Sequence, residues 1–178
     1  MELRPAAAQD WPQIWPFFSA IVDAGETYAF PTDLTQETGR EWWMESPPGR
    51  TIIAVEDAFP KGETGPKGET GSDQITVLGS AKMGPNRPGR GAHIATGSFM
   101  VDPAVQGRGI GRALGNYVIN WARLSGYHGI QFNAVVETNA AAVALWTDLG
   151  FEILTTVPEA FDHARHGLVG LHVMYQRL

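Results

Sequence analysis

The residues best suited to chemistry stand together in Phe99-Met100-Val101-Asp102-Pro103-Ala104-Val105-Gln106-Gly107-Arg108-Gly109-Ile110-Gly111-Arg112-Ala113-Leu114. Phe99 to Val101 are apolar and strand-forming, Pro103 cannot continue a ladder, and glycines alternate at 107, 109 and 111. Apolar residues at 110, 113, 114, 117, 118, 121 and 124 then recur on one helical face, with Arg112, Asn116, Asn120 and Arg123 opposite. The glycines therefore fall at a helix N-terminus. Unpaired N–H groups and the positive end of the helix dipole meet there, and glycine lets an anion approach the backbone. Each hydrogen bond to a charged oxygen contributes about 1.5–3 kcal/mol, so three or four donors hold a pyrophosphate without a lysine. Arg108 and Arg112 add side-chain charge beside it.

A glycine-rich turn before an ordinary helix is the plain alternative. A dinucleotide loop requires Gly-x-Gly-x-x-Gly and an acidic residue about 20 positions on, whereas the spacing here is Gly-x-Gly-x-Gly followed at that distance by Gln131. No Gly-Lys-Ser/Thr follows, which excludes a Walker loop.

The stretch resembles the acyl-CoA motif of the GCN5-related N-acetyltransferases (GNAT superfamily), Val-x-Pro-x-x-Arg/Gln-Gly-x-Gly-Ile/Ala-Gly, at Val101, Pro103, Gln106, Gly107, Gly109, Ile110 and Gly111. Further on, Asn139-x-x-Ala142-x-x-Leu145-Trp146-x-x-Leu149-Gly150-Phe151 resembles that family's second CoA motif. The likeness is strong over 93–157 and elsewhere rests on the order of elements. It implies an α/β acyl-CoA N-acyltransferase fold: a mixed, bent sheet of six or seven strands, helices on both faces, and acetyl-CoA wedged where the central strands part. It also implies that Gln106 to Arg112 hold the pyrophosphate and that the strand around Phe99 and Val101 pairs with the pantetheine. A backbone N–H at Phe99 or Met100 then polarises the thioester carbonyl, and Asn139, also placed to cap a helix, bonds the pantetheine near the sulfur. Trp146 belongs to the same cofactor set. It stands where many relatives carry a tyrosine acid, a role an indole cannot take.

The elements that must position this loop are legible in order. Residues 2–4 align with the family's first strand. Asp10-Trp11-Pro12 reads as an N-cap with proline in the first turn of a helix directing Ile14, Trp15, Phe18, Ile21 and Val22 to the core, ended by Gly25. A polar and aromatic loop with Glu26 and Tyr28 precedes a second helix from about Thr35 to Met44. Strands are expected at 51–56, 75–83, 93–101 and 130–136, and a closing hairpin at 153–157 and 171–175. Its long loop, carrying Asp162, His163, Arg165 and His166, reads as surface rather than as a metal cluster. Residues 60–73 hold a duplicated Lys-Gly-Glu-Thr-Gly unit, expected to form a flexible hairpin loop. Ser125-Gly126-Tyr127 and Gly150-Phe151 read as helix C-terminal caps.

With 178 residues, one domain spanning 1–178 is expected. The sequence has no cysteine, which removes disulfides and a cysteine-acyl intermediate. A net charge of −6 and a pI near 5.3 disfavour a nucleic-acid partner. No apolar run spans a membrane and no signal peptide is seen, so a cytoplasmic location is expected. A homodimer is left open, and no metal is expected.

Acetyl transfer to an alkyl amine needs an acceptor for its proton. No glutamate sits on the strand before the loop, which leaves Glu26, Glu137, His93, or water held by Thr96 and Asn133. Tyr28, Thr96 and Asn133 are the expected substrate contacts. The segment 132–139, with Trp146 and Gly150-Phe151, is also similar to fungal acetyltransferases acting on proline analogues such as azetidine-2-carboxylate. The expectation is an N-acetyltransferase moving acetyl from acetyl-CoA to a small-molecule amine, an amino acid or analogue, by direct attack. A protein or peptide acetyltransferase and a non-catalytic acyl-CoA binding module are the alternatives.

Overall fold

Along Arg50–Asp57 (β2), Ile52 and Ala54 pack to one side and Ile53 and Val55 to the other, all four almost inaccessible. A strand buried on both faces requires a layer on each. The computed structural model describes residues 1–57 and 75–178 and shows those layers. The expected hairpin loop at 60–73 lies outside the described residues.

The remaining strands are Glu2–Pro5 (β1), Ile75–Pro85 (β3), Ile94–Val101 (β4), Gly129–Val136 (β5), Glu152–His163 (β6) and Gly167–Arg177 (β7). They form a seven-stranded sheet in the order β1-β2-β3-β4-β5-β7-β6. Every neighbouring pair is antiparallel except β4 and β5. Trp11–Asp23 (α1) and Gln36–Trp43 (α2) cover Ile53, Val55, Val77 and Met100. Ile110–Leu124 (α3) and Ala140–Asp148 (α4) cover Ile52, Ala54, Leu78, Ala81 and Ile130 on the other face. The seven strands and the helices on both faces agree with the expected architecture.

The functional consequence comes from β4 and β5. They pair only at Ile94 with Gly129 and Ala95 with Ile130, then diverge. A cleft thus opens between two central strands at their C-terminal ends, where ligands sit in open parallel sheets. The starts of α3 and α4 both face it.

Several local expectations are corrected. Asp10 does not cap α1 with its side chain; its buried carboxylate accepts from Ala7 N at 2.7 Å and from both Arg4 terminal nitrogens at 2.8 Å, tying β1 to the helix start. In α3 the buried rows are Ile110, Leu114, Val118 and Ala122, with Gly115 and Ile119 beside them. Leu124, expected on that face, is 81% exposed because it sits in the last turn, beyond the sheet contact. The long loop expected between the last strands is instead strand, paired from Phe161 with Val169 to His163 with Gly167, leaving a tip of 164–166. Both caps form as expected: Tyr127 N donates to Ala122 O and Phe151 N to Trp146 O, each at 3.0 Å, across Gly126 and Gly150 with positive φ. Among the described residues, no helix is long and apolar enough to cross a membrane.

Candidate active site

Asp102 leaves β4 and turns the chain, its carboxylate accepting from Ala104 N at 2.9 Å. Gly107 (φ 81°) and Gly109 (φ 77°) follow in the left-handed region, which L side chains rarely adopt. Their positions open onto free space, since a Cβ at either meets nothing within 4 Å. The first backbone bond of α3 runs from Ala113 N to Gly109 O at 3.0 Å. The amides of 107 to 112 have no acceptor among the described residues, the arrangement that an anion site at a helix start requires. Gly111 serves differently from the other two: it is helical, and a Cβ there reaches Leu145 Cδ2 at 3.4 Å, so it sets the approach of α4.

These amides border a cavity of about 730 Å³. Val101, Gln106, Gly107, Gly109, Ile110, Gly111, Arg112 and Asn139 line it, as do Glu26, His163, Arg165 and His166. The β6–β7 tip reaches it because Ala164 N donates to Gly25 O at 3.0 Å and Arg165 Nη2 meets Glu26 Oε2 at 2.8 Å. Arg165, His163 and His166 were missed as site residues: β6–β7 pairing carries them there from far along the chain. Arg108 turns away, its guanidinium paired with Glu56, which holds that carboxyl below its ordinary value. Arg112 meets Asp148 at 2.9 Å at the cavity's rim.

A second cavity of about 480 Å³ fills the space between β4 and β5 and shares Thr27, Val101, Gln106 and Asn139 with the first. The two adjoin along those residues. Trp146, Phe132 and Phe99 wall it toward α4, with ring centroids 4.5 Å apart for Phe99 and Trp146 and 4.9 Å for Phe132 and Trp146. Tyr28, Phe30 and Trp42 wall it toward α1 and α2, and Thr96, Ser98 and Asn133 lie along the strand edges. Asn139 accepts from Ala142 N at 3.1 Å, capping α4 while facing the cleft.

Tyr28 makes the most specific contact of the cleft. Its hydroxyl accepts from Phe99 N at 2.9 Å and donates to Phe99 O at 2.7 Å, filling the place of the strand partner that β5 no longer provides. Burial pushes this phenol above its ordinary range, so it stays protonated. The amide expected at Phe99 thus faces the cleft but carries a hydroxyl. Met100, the other expected donor, faces β3 opposite Ser80, because adjacent residues alternate edges; Val101 turns back to the cleft.

The base candidates are not brought together. Glu137 is exposed and accepts from Gly170 N of β7, and His93 is exposed beside His128 with ring centroids 5.5 Å apart; neither lines either cavity. Glu26 lies at the glycine-loop end, bound to Arg165. Asn133 Nδ2 donates to Asn86 Oδ1 at 2.6 Å, and its Oδ1 accepts from Gln131 Nε2 at 2.8 Å; an amide so engaged positions rather than accepts protons. A larger concavity, about 960 Å³ outside α1 and α2, shares no residue with the cleft.

The pattern of the Acetyltransferase (GNAT) family matches residues 11–151. N-acetyltransferase aca1 of Schizosaccharomyces pombe is 30% identical over 139 residues, covering 76% of this chain and 64% of the relative. The chain thus spans less than two thirds of that relative's length. A GCN5-related N-acetyltransferase from Kribbella flavida is 52% identical, with TM-score 0.85 over 99% of this chain and 97% of the other. A phosphinothricin acetyltransferase from Sinorhizobium meliloti, solved in complex with AcCoA, shares the fold at 19% identity and TM-score 0.78, over 99% of this chain and 88% of the other. Two CoA-type motifs, a sheet parted between β4 and β5, and a family match over most of the chain lead to one conclusion: this chain belongs to the acetyltransferase (GNAT) family.

Proposed function

We propose that the protein transfers acetyl from acetyl-CoA to the amine of a small molecule by direct attack in a ternary complex. The observation that carries this is the pair of adjoining cavities that runs from the unpartnered amides of 107–112 to the parted edges of β4 and β5. The loop suits a diphosphate, since left-handed glycines leave its amides exposed and Arg165 and His166 stand across the cavity. The apolar wall of Phe99, Phe132 and Trp146 suits the thioester arm, with Val101 offering backbone pairing and Asn139 a side-chain contact.

The chemistry needs little beyond placement. The amine nitrogen bonds to the acyl carbon, the carbon–sulfur bond breaks, CoA leaves as thiolate and the ammonium proton passes to solvent. A thiol with pKa near about 8.5 departs without an acid, consistent with Trp146 in place of a proton donor. With no carboxylate or imidazole among the described residues lining the β4–β5 cavity, the amine enters as free base. Holding the two reactants in one cleft then supplies the main rate advantage.

Calorimetry with acetyl-CoA and a thiol-release assay with a panel of amines test this reading. Binding followed by amine-dependent CoA release is expected. Tight binding with no release for any amine would leave a binding module, and no binding would remove the cofactor assignment.

A further inference from the structure

We infer that the acceptor is an amine on a compact aromatic or apolar body with no second charged group. This rests on the acetyl-transfer reading above and narrows its substrate class, away from the amino acid expected from sequence. The β4–β5 cavity separates sharply from its neighbour in charge. Arg112, Arg165, Glu26, His163 and His166 all gather at the glycine-loop end. Among the described residues, no Asp, Glu, Lys, Arg or His lines the β4–β5 end.

What lines that end instead is a row of ring faces. Tyr28 and Phe30 lie with centroids 5.0 Å apart, and Phe30 and Trp42 5.2 Å apart. Ring faces carry negative quadrupole charge: they stack on another ring or attract an ammonium, and they repel a carboxylate. The polar groups opposite are neutral: Thr96, Ser98 and Asn133, the last already bonded to Asn86 and Gln131. Lys82, across from Ser98 in the sheet, is engaged by Trp42 O at 2.7 Å and Glu45 Oε1 at 3.1 Å. A buried carboxylate finds no cation here and pays desolvation without a partner; a second ammonium finds ring faces but no anion, which offsets only part of its desolvation. At about 480 Å³, shared with the acyl end of the cofactor, the space fits roughly one ring and a short arm.

The test compares three acceptors at saturating acetyl-CoA: 2-phenylethylamine, phenylalanine, which adds a carboxylate, and 1,4-diaminobutane, which adds a second cation. The expected kcat/KM for 2-phenylethylamine exceeds that of each other amine by about tenfold or more. Trp42→Ala and Phe30→Ala lower it about tenfold while the acetyl-CoA Kd stays within about twofold, and Trp42→Phe recovers most of the loss. Trp42 is 44% exposed, so its variants keep the fold. Phenylalanine or diaminobutane reacting as fast as 2-phenylethylamine overturns the acceptor class while leaving acetyl transfer intact. Unchanged selectivity in both alanine variants overturns the assignment of the aromatic wall. CoA release with none of the three, while another amine of the panel reacts, overturns this inference alone; release with no amine of the panel overturns the activity as well.

Discussion

Tyr28→Phe removes one oxygen that satisfies two backbone groups, Phe99 N–H and Phe99 C=O, at the edge of the cleft. A buried group left without a partner costs about 1–3 kcal/mol, and solvent reaching the cleft offsets part of it, so a loss of about 2 kcal/mol is expected in the free protein. For a chain of this length that lowers Tm by about 4–8 °C. The phenol is held protonated by burial, so the deficit is flat across neutral pH. Where the thioester carbonyl takes the Phe99 N–H, the wild-type hydroxyl must first release it, and the variant has nothing to release. Saturating acetyl-CoA therefore shrinks the stability deficit by about 1 kcal/mol, and by linkage the variant binds acetyl-CoA about fivefold more tightly. Differential scanning calorimetry with and without acetyl-CoA, beside titration calorimetry, reads both numbers. A wild-type Tm in the free protein refutes the role of the hydroxyl in closing the edge; an equal deficit with and without cofactor refutes its competition at Phe99.

Three further outcomes follow from the same geometry. Gly109→Ala forces a side chain into left-handed backbone at about 1–2 kcal/mol and weakens acetyl-CoA binding by more than about tenfold, whereas Gly111→Ala, helical and in ordinary contact with Leu145, gains about 0–1 kcal/mol; thermal melts and titration calorimetry separate them. Asp10→Asn costs about 1–3 kcal/mol at neutral pH in urea unfolding, because Arg4 loses its partner. The Arg4 bond holds the Asp10 carboxyl below its ordinary value, so its contribution is present above the unfolded value of about 3.9 and disappears as pH falls through the lower folded one. Finally, log kcat/KM rises with the free-amine fraction toward the amine's own pKa of about 10, and Glu26→Gln, His93→Ala and Glu137→Gln keep that profile within about threefold. A neutral-pH plateau abolished by one of them would identify that residue as the base.

Local signals carried much of the site. The left-handed glycines, the α3 start, the Asn139 cap and the Gly126 and Gly150 caps all depend on residues within a turn of one another, so spacing alone reveals them. The strand at 51–56 was likewise legible as a strand, and its unbroken apolar run Ile52 to Val55 fits the burial of both its faces. Asp10 misled because a carboxylate before Trp11-Pro12 has a local use, and Arg4 on β1 offered a stronger one.

The sequence by itself carried a glycine-opened helix start and the strand and helix patterns, which rest on local periodicity and glycine geometry, while the sheet covered on both faces and the acyl-CoA family were legible through the resemblance of two motifs. Only the tertiary structure decided which side chains share the cleft. The short β4–β5 pairing parts the sheet, the β6–β7 tip carries Arg165 and His166 to the glycine loop, and Tyr28 closes on Phe99, 71 residues away. Such meetings are fixed by strand register and by how far paired strands extend, quantities that no window of neighbouring residues contains.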